Sequence, residues 1–590
     1  MIIRYQRFHS VLALAACMLA MTGCSQLKAI FATRPSEKMP AYRPVDVQFE
    51  KQGWSQDQRA WFYHTAQGTE LLPYKWFRAL EQPKIRLFGT VPKFADSDYL
   101  ARFGFLPDAV SQQNPDGLPV GFARDVVLDP KSGETVEVVG LTCAACHTGQ
   151  VEYKGRGMRI DGGSASVDLA SFQTELGYAV GFADKIPFRF DRFARAVLGD
   201  NASAEGKSKL RQQFEQFLNA GLAEKGTADA GKLYEVSGGF GRTDALGRIG
   251  NFAFGTELNN ANLRVADAPA NFPPLWYTSW FSWVQYNASI QQPMVRNIGE
   301  ALGVRARVNL TDPAKLYRST VNVKNLWQME GLLAGPTAFA GLKSPPWPEE
   351  ILGPIDQAKA QKGAELYRKR CQHCHLPPLN SPEIQDPKYW EAGSDGKHLF
   401  LKLNVIPLDE IGTDPREASN WARRMAVTDA LKLGTVSAAA GLRAVTQKIR
   451  DMNYDALGLS ADQRMDWNGY RDDGVAAPRA YRARPLGGLW ATPPYLHNGS
   501  VPSLYQMLLP AEQRDKTFYV GSREFDPKNV GYSTAKFEGG FEFQTDQPND
   551  PHPGNSNAGH EFRNMPGKGV IGPELSDEER WAIIEYLKTL

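Results

Sequence analysis

Apolar and polar positions follow two different periods along this chain. Near the C-terminus, "LSDEERWAIIEYLKTL" sets Trp581, Ile584, Leu587 and Leu590 at helical spacing behind Ser576 and Glu579, a capping box, and predicts a terminal helix. A second helix is predicted over Asp356 to Arg370, "DQAKAQKGAELYRKR", with Gly363 and Tyr367 four apart on one face and Cys371 directly after it. Earlier, "RDVVLDPKSGETVEVVGLT" is β-rich on both sides of a turn signal at Asp129 to Gly133, and Gln150 to Tyr153 is a further short run, so a β-ribbon is predicted there. Helical stretches are predicted between residues 165 and 222.

Two segments are dense in aromatics. Phe272 to Tyr286, "FPPLWYTSWFSWVQY", holds seven in fifteen positions, and Trp61-Phe62-Tyr63-His64 is followed by Tyr74, Trp76 and Phe77. Rings at this density form core or the wall of an apolar cavity. With 590 residues, 42% of them hydrophobic, the chain can bury more than one core, and "GLKSPPWPEEILGP" (341–354) is a proline-rich boundary between two halves. A formal charge of +2 gives the whole chain no basic excess of the kind that binds nucleic acid or an acidic membrane surface.

The N-terminus carries Arg4 and Arg7, an apolar run from Val11 to Met21, and small residues before Cys24, the layout of an export signal too short to span a membrane. Met21-Thr22-Gly23-Cys24 resembles a lipobox, so residues 1–23 are expected to be a lipoprotein-type signal peptide and Cys24 an acylated mature N-terminus. Leu14 to Cys17 fits the same letters, but cleavage there would leave a very short apolar region. Either an acylated or an ordinary signal places the mature chain in the periplasm; a lipid on Cys24 would be its one membrane attachment.

Cysteine usage changes the picture most. Cys17 and Cys24 lie in the leader, and the other four form two C-x-x-C-H motifs, Cys143/Cys146/His147 and Cys371/Cys374/His375. In that spacing two thiols add to the haem vinyl groups and the adjacent histidine reaches the iron. The expected cofactors are therefore two covalently bound haem c groups, with His147 and His375 as iron ligands; the rival is a zinc site built from both motifs. The expected fold class is mainly α with short β-ribbons: two cytochrome c-like haem domains with long loops, spanning 51–340 and 341–590 after a linker at 24–50.

A haem closed by two histidines moves electrons, whereas one with a single protein ligand can bind dioxygen or peroxide. His497 in "PPYLHNGSVPSL" and His560 in "NSNAGHEF" are candidates for the far side of the second haem. His64 is the N-terminal half's one candidate for the first, and a lone histidine is more often a hydrogen-bonding residue. The first haem is thus the better candidate for an open iron.

"VVGLTCAACHTGQV", "PLWYTSWFSWVQYNASIQQPMVRNIGEALG", "VIPLDEIGTDP", "LWATPPYLHNGSVPSLYQML" and "GNSNAGHEF" together resemble the di-haem c-type oxygenases typified by bacterial rubber oxygenase, a group that includes oleate 10S-dioxygenases and diol synthases. The chain is more distantly similar to di-haem cytochrome c peroxidases. The resemblance covers about residue 50 to 590 and implies dioxygen binding at the haem held by His147, with His560 opposite His375 at the second. It also implies a tryptophan near the first haem, for which Trp276 is chosen, with Trp280 and Trp283 close by. The chain is shorter than rubber oxygenases, which favours a free fatty acid over a polymer.

The function this implies is conversion of oleate and dioxygen to 10S-hydroperoxy-8E-octadecenoate. Alternatives are isomerisation of such a hydroperoxide to a 7S,10S-diol, peroxide reduction with electrons from a small redox donor, and plain electron transfer.

Overall fold

The computed structural model describes residues 34–86, 90–200, 202–545 and 553–590, so the export signal, Cys17 and Cys24 lie outside the described residues. Among the described residues no helix is long and apolar enough to cross a membrane. The predicted ribbon forms by period-two pairing. Phe122–Leu128 runs antiparallel to Thr135–Leu141, with Phe122 opposite Leu141 and Leu128 opposite Thr135. Asp129 closes the turn between them, its carboxylate accepting from the Lys131 and Ser132 backbone amides. One helical turn, Cys143–Cys146, separates this hairpin from a second one, Thr148–Tyr153 paired with Arg156–Asp161, whose outer edge takes Asp46–Phe49 as a parallel strand.

Helices Leu169–Lys185, Arg189–Leu198 and Ala204–Ala230 follow. Phe172, Phe193 and Phe214 from them meet Trp76, Phe77, Phe94, Phe105 and Phe122 in an aromatic core behind the first ribbon. A separate and larger core draws on both sides of residue 340, joining Ile160, Met294 and Leu326 to Tyr367, Tyr495 and Ile584.

The C-terminal half is organised by helix crossing. Gln357–Arg370, capped by Asp356, lies across Asp577–Lys588, capped by the Ser576/Glu579 box. They meet at Gly363, where a Cβ would lie 2.0 Å from the Ala582 carbonyl oxygen, so glycine alone permits the approach.

The expectation of a mainly α fold needs correction. The chain is mixed α/β, with 39% helix and 16% strand in small sheets. Segments expected as loops pair instead: Thr517–Val520 runs antiparallel to Phe541–Gln544, with the Phe518 and Phe543 rings stacked at 4.7 Å. Cross-strand aromatic contact of this kind stabilises two-stranded ladders.

Candidate haem sites

Each C-x-x-C-H motif forms one helical turn, held by different neighbours. At the first, the Thr142 hydroxyl oxygen accepts from Ala144 N while its proton goes to the Tyr63 carbonyl, and Thr142 N donates to the Gly121 carbonyl. Gly121 has φ +88°, and a Cβ there would lie 2.3 Å from Ala145 backbone atoms, so this strand-to-turn contact also requires glycine. His147 directs Nδ1 at the Pro273 carbonyl, 2.8 Å away. A carbonyl only accepts, so Nδ1 carries the proton and Nε2 remains as a ligand atom.

At the second motif the Gln357–Arg370 helix delivers Cys371, whose amide still bonds to the Tyr367 carbonyl. The Tyr367 hydroxyl donates to Leu376 O at 2.7 Å, and Asn404 donates to the carbonyls of His373 and Cys374. His375 Nδ1 donates to the Arg484 carbonyl at 2.7 Å, which again leaves Nε2 for a metal.

His375 and His560 face each other, ring centroids 5.9 Å apart and planes inclined by 66°. That separation suits two imidazoles sharing one metal ion at about 2 Å from each nitrogen. His560 reaches it from a left-handed backbone, φ +45°, between close glycine contacts: a Cβ on Gly559 would lie 2.4 Å from Gly412 C. The loop is fastened by Arg514, 2% exposed, which donates to the carbonyls of Asn557 (2.5 Å), Gly559 (3.0 Å) and His560 (2.9 Å) on one side and Leu509 (3.2 Å) on the other.

Across from His147 the described histidines are otherwise engaged. His64 has both ring nitrogens occupied, by Phe122 O at 3.0 Å and the Asp108 carboxylate at 2.8 Å, so it stands as a hydrogen-bonding residue. His497 stacks on Tyr481 at 4.1 Å and edges against Tyr286 at 6.0 Å; the ring facing His375 belongs to His560. Burial depresses the pKa of His147 to about 4 and that of His560 and His497 to about 3, so all three are neutral imidazoles near neutral pH.

The donor sets suit covalent haem better than zinc. All four described cysteines are free, as attachment of haem through thioethers requires. Among the described residues no three His, Cys, Asp or Glu side chains gather as a metal cluster would require. The buried His560 Nδ1 has no protein partner, and its ring is presented to His375.

Trp276 connects the two supports. It is fully buried, lies three residues after Pro273, donates Nε1–H to the Gly487 carbonyl at 2.9 Å, and carries the Arg484 guanidinium 5.5 Å from its ring centre. Trp280 bonds instead to Ala334 O, and Trp283 packs beside Gly474. Reading the sequence missed Arg514, Arg484 and the carbonyls of Pro273 and Gly487: backbone acceptors have no residue signature, and an arginine far from its target has no local one.

Residues 480–519 match a family described as RoxA-like, cytochrome c-like. This is the segment that contributes the Arg484 carbonyl, the Gly487 carbonyl and Arg514. The chain is 45% identical over 610 aligned residues to the uncharacterized protein y4iJ of Sinorhizobium fredii, covering 100% of both chains. It is 26% identical over 337 residues to the uncharacterized protein y4iM of the same organism, covering 54% of this chain and 64% of that one. The chain therefore belongs to the family of y4iJ and contains within it a RoxA-like cytochrome c segment.

Proposed function

We propose that this chain is an exported di-haem dioxygenase that converts a monounsaturated fatty acid such as oleate to its 10S-hydroperoxy-8E product, in the periplasm and anchored by a lipid on Cys24. The observation that carries this reading is the asymmetry of the two motifs: His375 has an imidazole opposite it, while no described histidine stands opposite His147. Bound at Cys143, Cys146 and His147, a haem supplies the dioxygen-binding and one-electron chemistry that no side chain provides. The protein's own part is positional. Pro273 O fixes the His147 tautomer, and the aromatic core behind the ribbon keeps water from the site.

A recess of only about 30 Å³, lined by Ala165, Phe240, Pro494, Phe518 and Tyr532, adjoins the first motif through the bond from Ala165 N to the Cys146 carbonyl, and it would have to open to admit an alkyl chain. In the reaction the allylic carbon–hydrogen bond is broken and dioxygen adds at C10 as the double bond shifts. Trp276, between the supports of both ligand histidines, is suited to carry an electron; Trp276→Phe is expected to slow turnover at least tenfold with haem content unchanged.

The deciding experiment feeds oleate under air, and separately the purified hydroperoxide, to the holoprotein with mass spectrometry of the products. A hydroperoxide from oleate supports the reading. Turnover of the hydroperoxide alone, to a diol, replaces it with the isomerase, and consumption of hydrogen peroxide with a reduced donor replaces it with a peroxidase.

A further inference from the structure

Two arginines in the RoxA-like segment make no ion pair among the described residues. Arg482 and Arg484 follow one another at i and i+2 at the end of the strand Ala480–Ala483, which pairs with Asn404–Pro407. Arg482 donates Nε–H to the Gln285 carbonyl at 2.6 Å, while its buried Nη1 has no partner. Among the described residues the Arg484 guanidinium makes no hydrogen bond or ion pair, and it lies over the face of Trp276. Of the acidic groups nearby, Glu330 pairs with Arg296 and Asn297, Glu300 accepts from Gln285 at 2.9 Å, and Glu417, whose field reaches Arg482, makes no ion pair with it and is held largely protonated by burial and by repulsion from Asp244, its pKa raised to about 8.

A half-buried guanidinium without a counter-charge is costly, and the fork geometry of arginine matches a carboxylate. The position narrows the choice of ligand. Arg484 supports His375 through its carbonyl and covers Trp276, which follows the residue supporting His147, so the guanidiniums lie between the two motifs. Two anions of one chemistry belong there: a propionate of a bound haem, or the carboxylate of a fatty acid whose chain extends toward the first motif.

We propose that Arg482 and Arg484 form a carboxylate-binding site between the two haem motifs. The fatty-acid arm of this assignment rests on the proposed dioxygenase function; the propionate arm requires only that haem is bound.

The test uses the holoprotein with Arg484→Gln, Arg482→Gln and the charge-retaining Arg484→Lys. Both midpoint potentials are measured by spectroelectrochemical titration without substrate, and binding of oleate and of methyl oleate is followed by the haem absorption change. If the site holds a propionate, Arg484→Gln lowers one midpoint potential, because a cation stabilising the reduced haem is lost, and Arg484→Lys restores most of it. If it holds the substrate, the potentials stay in place, oleate binding weakens at least tenfold, methyl oleate binding is unchanged, and lysine recovers much of the oleate affinity. Unchanged potentials together with unchanged discrimination between acid and ester overturn the proposal, as does an Arg484→Lys variant no different from Arg484→Gln in both measurements. A chain that never binds oleate but shows the potential shift loses the fatty-acid function and keeps the carboxylate site.

Discussion

The two motif turns share a support and differ in what faces them. In both, the ligand histidine donates Nδ1–H to a backbone carbonyl supplied from a distant segment, Pro273 for His147 and Arg484 for His375. The Cys143–His147 turn is wedged between two hairpins with an aromatic core behind it. The Cys371–His375 turn extends a helix, and an opposing loop brings His560 to it. On the proposed function, the difference puts reactivity in what lies across from the histidine, since the hydrogen bonds that hold the two histidines are equivalent.

The comparison breaks most completely at the two glycines that seat the turns. Gly121→Ala drives a Cβ into Ala145, and Gly363→Ala drives one into the Ala582 carbonyl; each is expected to destabilise the fold by about 3 kcal/mol. Counting covalent haem in each purified variant should show Gly121→Ala depleted at the first motif and Gly363→Ala at the second. Equal loss at both would mean the turns are not independent.

Opening the closed site should make it resemble the other. His560→Ala is expected to convert the second haem from a low-spin to a high-spin optical and EPR spectrum, while His497→Ala leaves the spin state as it was. Reversal of those two results moves the opposing ligand to His497. A smaller effect of the same kind follows from Arg514→Lys, which keeps the charge but cannot reach carbonyls on both sides of the loop. A mixture of low-spin and high-spin second haem is expected, and a wholly low-spin spectrum would show that the glycine contacts hold His560 unaided.

The smallest effect sharpens the comparison by testing a group remote from both turns. Glu50 lies beside the second hairpin, its amide bonded to the Arg159 carbonyl, and burial followed by repulsion from Glu350 raises its pKa to about 7. A carboxyl whose folded pKa lies above its unfolded value gives stability that is present below the unfolded value and lost as pH rises through the folded one. Wild-type stability should therefore fall between about pH 4.5 and pH 7 by about 2–3 kcal/mol relative to Glu50→Gln. Thermal unfolding of both proteins across that range checks it, and parallel curves would remove Glu50 from the account.

Legibility in the sequence followed the range of the interactions. The capping box at Ser576 and Glu579, the helix running into Cys371, the turn at Asp129 and both C-x-x-C-H motifs depend on contacts a few residues long, and each could be read directly. The share of strand could not, because ladders such as Thr517–Val520 with Phe541–Gln544 join four-residue segments about twenty positions apart, and even β-prone residues in so short a run do not show which partner they pair with.

By itself, then, the sequence pointed to covalent haem, since attachment needs only two thiols and a histidine at fixed spacing. Tertiary structure decided the rest of the site. It chose His560 over His497 to face His375, gave both nitrogens of His64 to hydrogen bonds, and put Trp276 and Arg484 between the motifs. The physical reason is that these choices are made by backbone carbonyls, a carboxylate and ring faces from tens to more than a hundred residues away from the groups they hold, and packing alone brings such partners together.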